Sequence, residues 1–171
     1  MSLRTYFATY KFPVLFTRAA NVYGPGQPLY RILPRTVYFA RTGRTLQLHG
    51  GGYSERSFIH GRDVADATLR IARAGRVGDT YHISTTRLVA IRDLVRIVLE
   101  RMGKRFEESV EVVGERLGKD AAYMLDADKL RRELGWSDVI SLEQGVADTI
   151  AWIDRYLDAL RTQPADYIHK P

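Results

Sequence analysis

The sequence predicts an α/β fold, and three observations carry that reading. Short apolar runs bounded by turn residues alternate with stretches of helical period. Turn chemistry such as GPGQP separates the early runs, and helices dominate after residue 84. Of 171 residues, 45% are hydrophobic and 27% charged, an ordinary globular composition with enough apolar material for a sizeable core.

The elements follow in order. PVLFT (residues 13–17) is short and apolar with turn residues behind it, and reads as a buried strand. GPGQP (24–28) breaks any regular structure. RILPRTVYFARTG reads as a short helix ending near Gly43, and RTLQLHGGG as a strand running into a glycine turn. RSFIHG (56–61) is another short strand, so HGGGYS is taken as a hairpin turn rather than a phosphate loop. DVADATLRIARA (63–74) is helical. Asp63 near its start suits the exposed helix amides. GDTYHIS (78–84) is again a strand.

Ile91, Leu94, Val95, Val98 and Met102 recur on one helical face that stops at Gly103. VEVVG (110–114) reads as a strand. DADKLRRELGW is a short helix with Asp126 as N-cap and Gly135 as its stop. Trp136 behind it is a core anchor rather than a platform for a base. Ser141 and Gln144 resemble a capping box. Val146, Ile150, Ile153, Leu157 and Leu160 then form the last long helix. The tail TQPADYIHKP reads as loose.

Several function classes fall away. Without cysteine there are no disulfides, thiolate metal sites or cysteine nucleophiles. No apolar run is long enough to span a bilayer, so no membrane partner is expected, and a cytoplasmic location is. The net charge of +6 lacks charge runs or aromatic–glycine motifs, so it is read as scattered surface arginine rather than a nucleic-acid site. A pocket for a small diphosphate is the third reading, because the arginine fork grips two oxygens at once. No G-x-G-x-x-G or P-loop is present; in GPGQPL, Leu29 stands where the third glycine is needed. His49, His60, His82 and His169 lack metal-ligand spacing. By motif count this is a binding portion rather than a catalytic one.

The order PVLFTRAANVYGPGQ, RILP, LHGGGYSERSFIHGRDVADA, GDTYHIS and ERLGKDAAYMLDADKLRRELGW resembles the C-terminal half of the extended short-chain dehydrogenase/reductases, the NAD-dependent nucleotide-sugar epimerases and dehydratases. Within them, ERLGKD with the following Tyr, Asp, Lys and RRELGW is similar to the dTDP-glucose 4,6-dehydratase type. Its usual form there is R-P-G-H-D, and Leu117 and Lys119 replace the proline and histidine. The resemblance implies the C-terminal part of a Rossmann-like doubly wound sheet plus the small mixed α/β substrate-binding domain, over residues 1–162, with 163–171 as a tail. It also implies that residues 2–10 are the far end of the helix whose beginning carries the family's Tyr-x-x-x-Lys pair. NAD would serve the full-length parent. This chain, lacking the glycine fingerprint and the catalytic pair, would bind no cofactor alone and turn nothing over.

The same resemblance assigns binding residues. Asn21 matches the asparagine that contacts the sugar diphosphate; from the residues alone, an amide at a strand end facing the ligand crevice and a local turn bond stay equally open. Arg31 stands where the family often has a lysine near the nucleotide, against a solvated helix charge. Gln47 lies on the strand passing under the base. Arg56, directly before SFIH, and Arg116, in the R-P-G-H-D position, would converge on the phosphates. His82 stands where Asn is common; lining the pocket and packing in the sheet both remain open. The expected partner is a nucleotide diphosphate sugar, and a homo-oligomer is expected. The alternatives are a UDP-sugar 4-epimerase or decarboxylase of the same family, or a non-catalytic nucleotide-binding module.

Overall fold

The structure is a computed structural model that describes residues 2–115, 118 and 120–166. The chain runs α1 (Ser2–Tyr10), β1 (Phe16–Ala19), β2 (Asn21–Tyr23), α2 (Ile32–Thr42), β3 (Leu46–His49), a 3-10 turn (Gly50–Gly52), β4 (Glu55–His60), α3 (Gly61–Ala74), β5 (Thr80–Ile83), β6 (Leu88–Ala90), α4 (Ile91–Arg101), α5 (Phe106–Ser109), β7 (Val110–Val113), β8 (Ala122–Tyr123), α6 (Asp128–Leu134) and α7 (Leu142–Leu160). Strands β1 and β5 pair in parallel, as do β3 and β7; a four-stranded sheet holds β2–β4–β6 in that order with β8 beside β4. The chain divides into two compact units. The first comprises Met1–Val22, Ser57–Leu88 and Met124–Ile140; the second comprises Tyr23–Arg56, Val89–Tyr123 and Ser141–Pro171.

The first unit is built on the β1–β5 pair, with Phe16 opposite Thr80 and Arg18 opposite His82. Alternation along β5 sends Tyr81 and Ile83 into a core shared with Ile59, Ile71, Leu130 and Trp136. The other face carries Phe16, Arg18, Thr80 and His82. Helix α1 lies on that face: Arg4 Nη2 donates to Thr80 Oγ1 at 2.8 Å, and its guanidinium sits 4.7 Å above the Phe16 ring. Helices α3 and α6 pack on β5 from the core side. A parallel pair covered on both faces is the doubly wound arrangement the sequence predicts.

Two expectations shift here. The strand expected over residues 13–17 is displaced to Phe16–Ala19. Pro13 has no N–H to give a ladder, so the preceding segment serves as a lead-in, with Val14 buried and its carbonyl accepting from Gly78. Asp63, expected to serve the amides of its own helix, does other work. It is buried, and its two oxygens accept the N–H groups of Val139 and Ile140, each at 3.2 Å. His60 caps α3 instead, its Nδ1 accepting from the Arg62 N–H. The N-cap of α6 is Ala127 rather than the expected Asp126, which stands one residue earlier and accepts from the Asp128 N–H at 2.8 Å; Gly135 ends that helix in the left-handed region.

In the second unit α2 packs against α4 and α7. Leu33, Val37, Leu94, Val95, Val98 and Val146 are almost fully buried, as the helical periodicity predicts. Helix α2 ends at Gly43 in the left-handed region. Ser141 Oγ caps α7 by accepting from the Gln144 N–H, but the Gln144 side chain turns to Asp148, so only half of the capping box forms. The hairpin expected at HGGGYS is absent: β3 pairs with β7, and β4 belongs to the other sheet. The glycines are still required. A Cβ on Gly52 would press on Leu48 and the Arg92 backbone nitrogen, at a φ of 71°. The tail is not loose throughout, because Ala165 is buried and Asp166 pairs with Arg35 at 2.7 Å. Strands β2, β6 and β8 are only two or three residues long and carry no periodic signal of their own.

Candidate functional site

Parallel strands present ligands with the backbone at their C-terminal ends, and the β1–β5 pair ends where two expected residues stand. The Ala20 N–H donates to the Ile83 carbonyl at 2.9 Å, which carries the ladder one step beyond β1. Asn21 follows, half-buried, and is thereby set beside the segment that leaves β5. His82, also half-buried, lies one residue before the end of β5, in register with Arg18. Sequence reasoning missed Arg18; the signal was the two-residue alternation that places it on the face of His82.

That strand end is held from below. The Arg131 Nη2 donates both to the Ser84 carbonyl at 3.0 Å and to Asp138 at 2.7 Å, and the guanidinium stacks 5.2 Å from the Trp136 ring. Trp136, 2% exposed, is the core anchor expected. At the other end of β5 the Tyr81 hydroxyl donates to Glu133 and accepts from the Arg76 N–H. Lys129 pairs with Asp79 at 2.8 Å; that hydrogen bond is the main reason the Asp79 carboxyl lies below its ordinary range and the Lys129 ammonium above its own.

The second unit holds three more expected residues and does not gather them on one element. Arg56, on β4, spends two of its five donors on backbone, with Nη1 to the Glu55 carbonyl at 2.7 Å and Nη2 to the Asp120 carbonyl at 3.0 Å. Its neighbour across the ladder is Tyr123 of β8. Arg56 therefore pins Asp120, the last residue of the R-P-G-H-D position, and has guanidinium donors left over. Gln47, exposed on β3, faces Glu111 of β7, with 3.4 Å between amide and carboxylate. Arg31 stands at the N-cap of α2 with extended backbone and its guanidinium 5.5 Å from the Tyr30 ring. Arg116, with Leu117 and Lys119, lies outside the described residues.

The glycine turn is poorly suited to phosphate, since the Glu115 carboxylate occupies the space a Gly50 side chain would take. His49 Nδ1 lies 3.1 Å from the Gly114 carbonyl, and His169 is outside the described residues. Among the described residues, no three His, Asp or Glu side chains gather as metal ligands, and no helix is long and apolar enough to cross a membrane.

A dinucleotide does not fit the two direct strand-to-helix junctions, β4–α3 and β6–α4. It needs a glycine turn and free N–H groups at a helix start. Strand β4 runs straight into α3, where the His60 imidazole takes the Arg62 N–H. Strand β6 runs straight into α4, where the Ile91 N–H is taken by the Ser54 carbonyl.

The family model described as GDP-mannose 4,6 dehydratase matches residues 1–149. The chain belongs to that family. Among curated relatives, a trifunctional UDP-glucose 4,6-dehydratase/3,5-epimerase/reductase of Arabidopsis thaliana is 34% identical over 152 residues, covering 89% of this chain and 23% of that protein. The dTDP-D-glucose 4,6-dehydratase of Mus musculus is 30% identical over 155 residues, covering 88% of this chain and 43% of the relative. The dTDP-glucose 4,6-dehydratase DesIV of Streptomyces venezuelae, solved with NAD and TYD bound, superposes with a TM-score of 0.87 at 34% identity, over 91% of this chain and 48% of that one. The family member described here thus spans half or less of the length of each, with the α/β fold of Rossmann-type dehydratases.

Proposed function

We propose that this chain is the nucleotide-sugar-binding portion of an NAD-dependent sugar-nucleotide 4,6-dehydratase of the dTDP-glucose type, and that it performs no turnover alone. The observation that carries this reading is a contrast within the chain. In the second unit Arg56 keeps guanidinium donors for a polar ligand, while at the two direct strand-to-helix junctions, β4–α3 and β6–α4, a backbone N–H of the helix start is already taken. The family match and the dehydratase relatives support the substrate class.

In this reading the chain's work is to hold and orient. The diphosphate carries two charges, and a guanidinium gives each phosphate paired, charge-assisted donors. Arg56 is already fixed by two carbonyls, so little side-chain freedom is lost when a ligand arrives. The Asn21 amide can donate and accept at the strand end. NAD supplies the hydride chemistry when bound.

The test is calorimetric titration of the chain with dTDP-glucose. Arg56→Ala weakens binding by roughly 30- to 1000-fold, or about 2–4 kcal/mol, because it leaves phosphate oxygens unpaired. Arg73→Ala, an exposed arginine on α3, shifts binding by less than about 0.5 kcal/mol. Equal behaviour of the two variants removes Arg56 from the site.

A further inference from the structure

Arg18 and His82 face each other across the β1–β5 ladder on the same side of the sheet. Parallel neighbours are about 4.8 Å apart, so the two side chains leave the sheet together. A guanidinium so placed on a sheet face calls for a negative group beside it. The unit that contains them supplies none. Its first segment, residues 1–22, has no Asp or Glu at all. Of its other carboxylates, Asp63 is taken by the Val139 and Ile140 N–H groups, Asp66 by Arg70 and Asp79 by Lys129. Asp126 accepts from the Asp128 N–H, Asp128 lies by Arg132, Glu133 takes the Tyr81 hydroxyl and Asp138 takes Arg131.

The surroundings of His82 in this unit are equally one-sided. On its own face, β1 contributes Arg18 and Phe16, and α1 contributes Arg4, which is bonded to Thr80. The charged groups of α6 reach the opposite face: Lys129 and Glu133 meet Tyr81, and Arg131 meets the Ser84 carbonyl beyond the strand. On α3, Asp63 is engaged with the 139–140 backbone and Arg70 with Asp66 and the Gly135 carbonyl. Among the described residues neither Arg18 nor His82 has an ion pair, and both stand at the C-terminal end of the strands, where α/β folds take up ligands.

We propose that Arg18 and His82 together bind one phosphate of the nucleotide sugar, and that affinity rises as pH falls and His82 takes up a proton. The inference rests on the nucleotide-sugar reading and deepens it. An imidazole changes charge between about pH 5 and 8, whereas an asparagine amide does not. Protonation creates a second cation beside Arg18, and a bound anion favours that form. The gain is therefore present at low pH and lost as pH rises.

dTDP-glucose is the suitable probe, because each of its two phosphates has a single, strongly acidic ionisation and so carries a constant charge over this range. Calorimetry of the chain at about pH 5.5 and about pH 8 is expected to give roughly tenfold tighter binding at the lower pH. His82→Asn keeps the high-pH affinity and loses the gain. Arg18→Ala weakens binding about tenfold at both pH values, and Arg73→Ala does neither. Measurable binding with no dependence on pH, or a pH gain that survives in His82→Asn, overturns the inference while leaving the nucleotide-sugar reading in place. If dTDP-glucose binds at neither pH, that broader reading is what fails, and inorganic sulfate then tests the pair by itself. In that case an NMR titration of the His82 ring decides: sulfate raises its midpoint in the native chain and not in Arg18→Ala. A midpoint unmoved by sulfate overturns the pair as an anion site.

Discussion

In the unit built on β1 and β5, the expected ligand residues Asn21 and His82 stand on or just beyond strands whose register is fixed by backbone bonds and by a core centred on Trp136. In the other unit, Arg31, Gln47 and Arg56 stand at a helix start, on an exposed strand face and beside a loop, and each already meets a protein group. The first unit places side chains through its sheet; the second places them through individual contacts. Mutations that reach ligand binding through the framework belong to the first kind, and those that act through one side chain belong to the second.

The largest expected effect is on the framework. Trp136→Ala removes a fully buried indole and the face on which Arg131 stacks, and destabilises the fold by about 3–5 kcal/mol in urea denaturation. Amide exchange then quickens more in Thr80–Ile83 than in Ile91–Arg101. An equal rise in both segments would mean that the two cores open as one, and the contrast between the units would fall.

A smaller effect tests the second unit. The backbone of Gly145, in α7, lies against the Tyr23 ring, and a Cβ there would collide with the tyrosine hydroxyl and ring carbons. Tyr23 is 3% exposed and has no room to retreat. Gly145→Ala therefore costs about 1–3 kcal/mol despite alanine's better helix propensity, read as a lower urea midpoint. A stabilised variant would show that the contact is slack.

The smallest effect is electrostatic. The Asp79 carboxyl is held below its ordinary range, chiefly by the hydrogen bond from Lys129. A carboxyl lowered on folding stabilises above its unfolded value, and that contribution is lost as pH falls through the lowered one. The loss thus lies on the acid side, below the ordinary value of 3.8. Asp79→Asn should flatten the melting temperature there and change it little near neutrality, since the pair is solvent-screened. A flat acid limb in the native chain would remove the pair from the account.

Much of this was legible in the sequence. Period and caps gave α2, α4 and α7 nearly to the residue, and Gly43, Gly135 and Ser141 act as their chemistry requires. The paired strands β3, β5 and β7 were visible as apolar or β-branched runs. What stayed hidden was long-range. Asp63 looks like a helix-start carboxylate, and nothing local shows that its oxygens meet residues 139 and 140. The glycine run at 50–52 has the composition of a hairpin, yet pairing of β3 with β7 is decided sixty residues away. In the site, residue types were legible from the resemblance, whereas the carbonyls that hold Arg56 and the partner of His82 across the ladder depend on register.

The central claim is that this chain recognises the nucleotide sugar and leaves the dinucleotide to other residues. Parallel calorimetric titrations of the purified chain with dTDP-glucose and with NAD test it most directly. The account predicts saturable binding of dTDP-glucose and no saturable binding of NAD, because the starts of α3 and α4 are occupied by His60 and the Ser54 carbonyl. Saturable NAD binding at micromolar concentration, with none for dTDP-glucose, would contradict it.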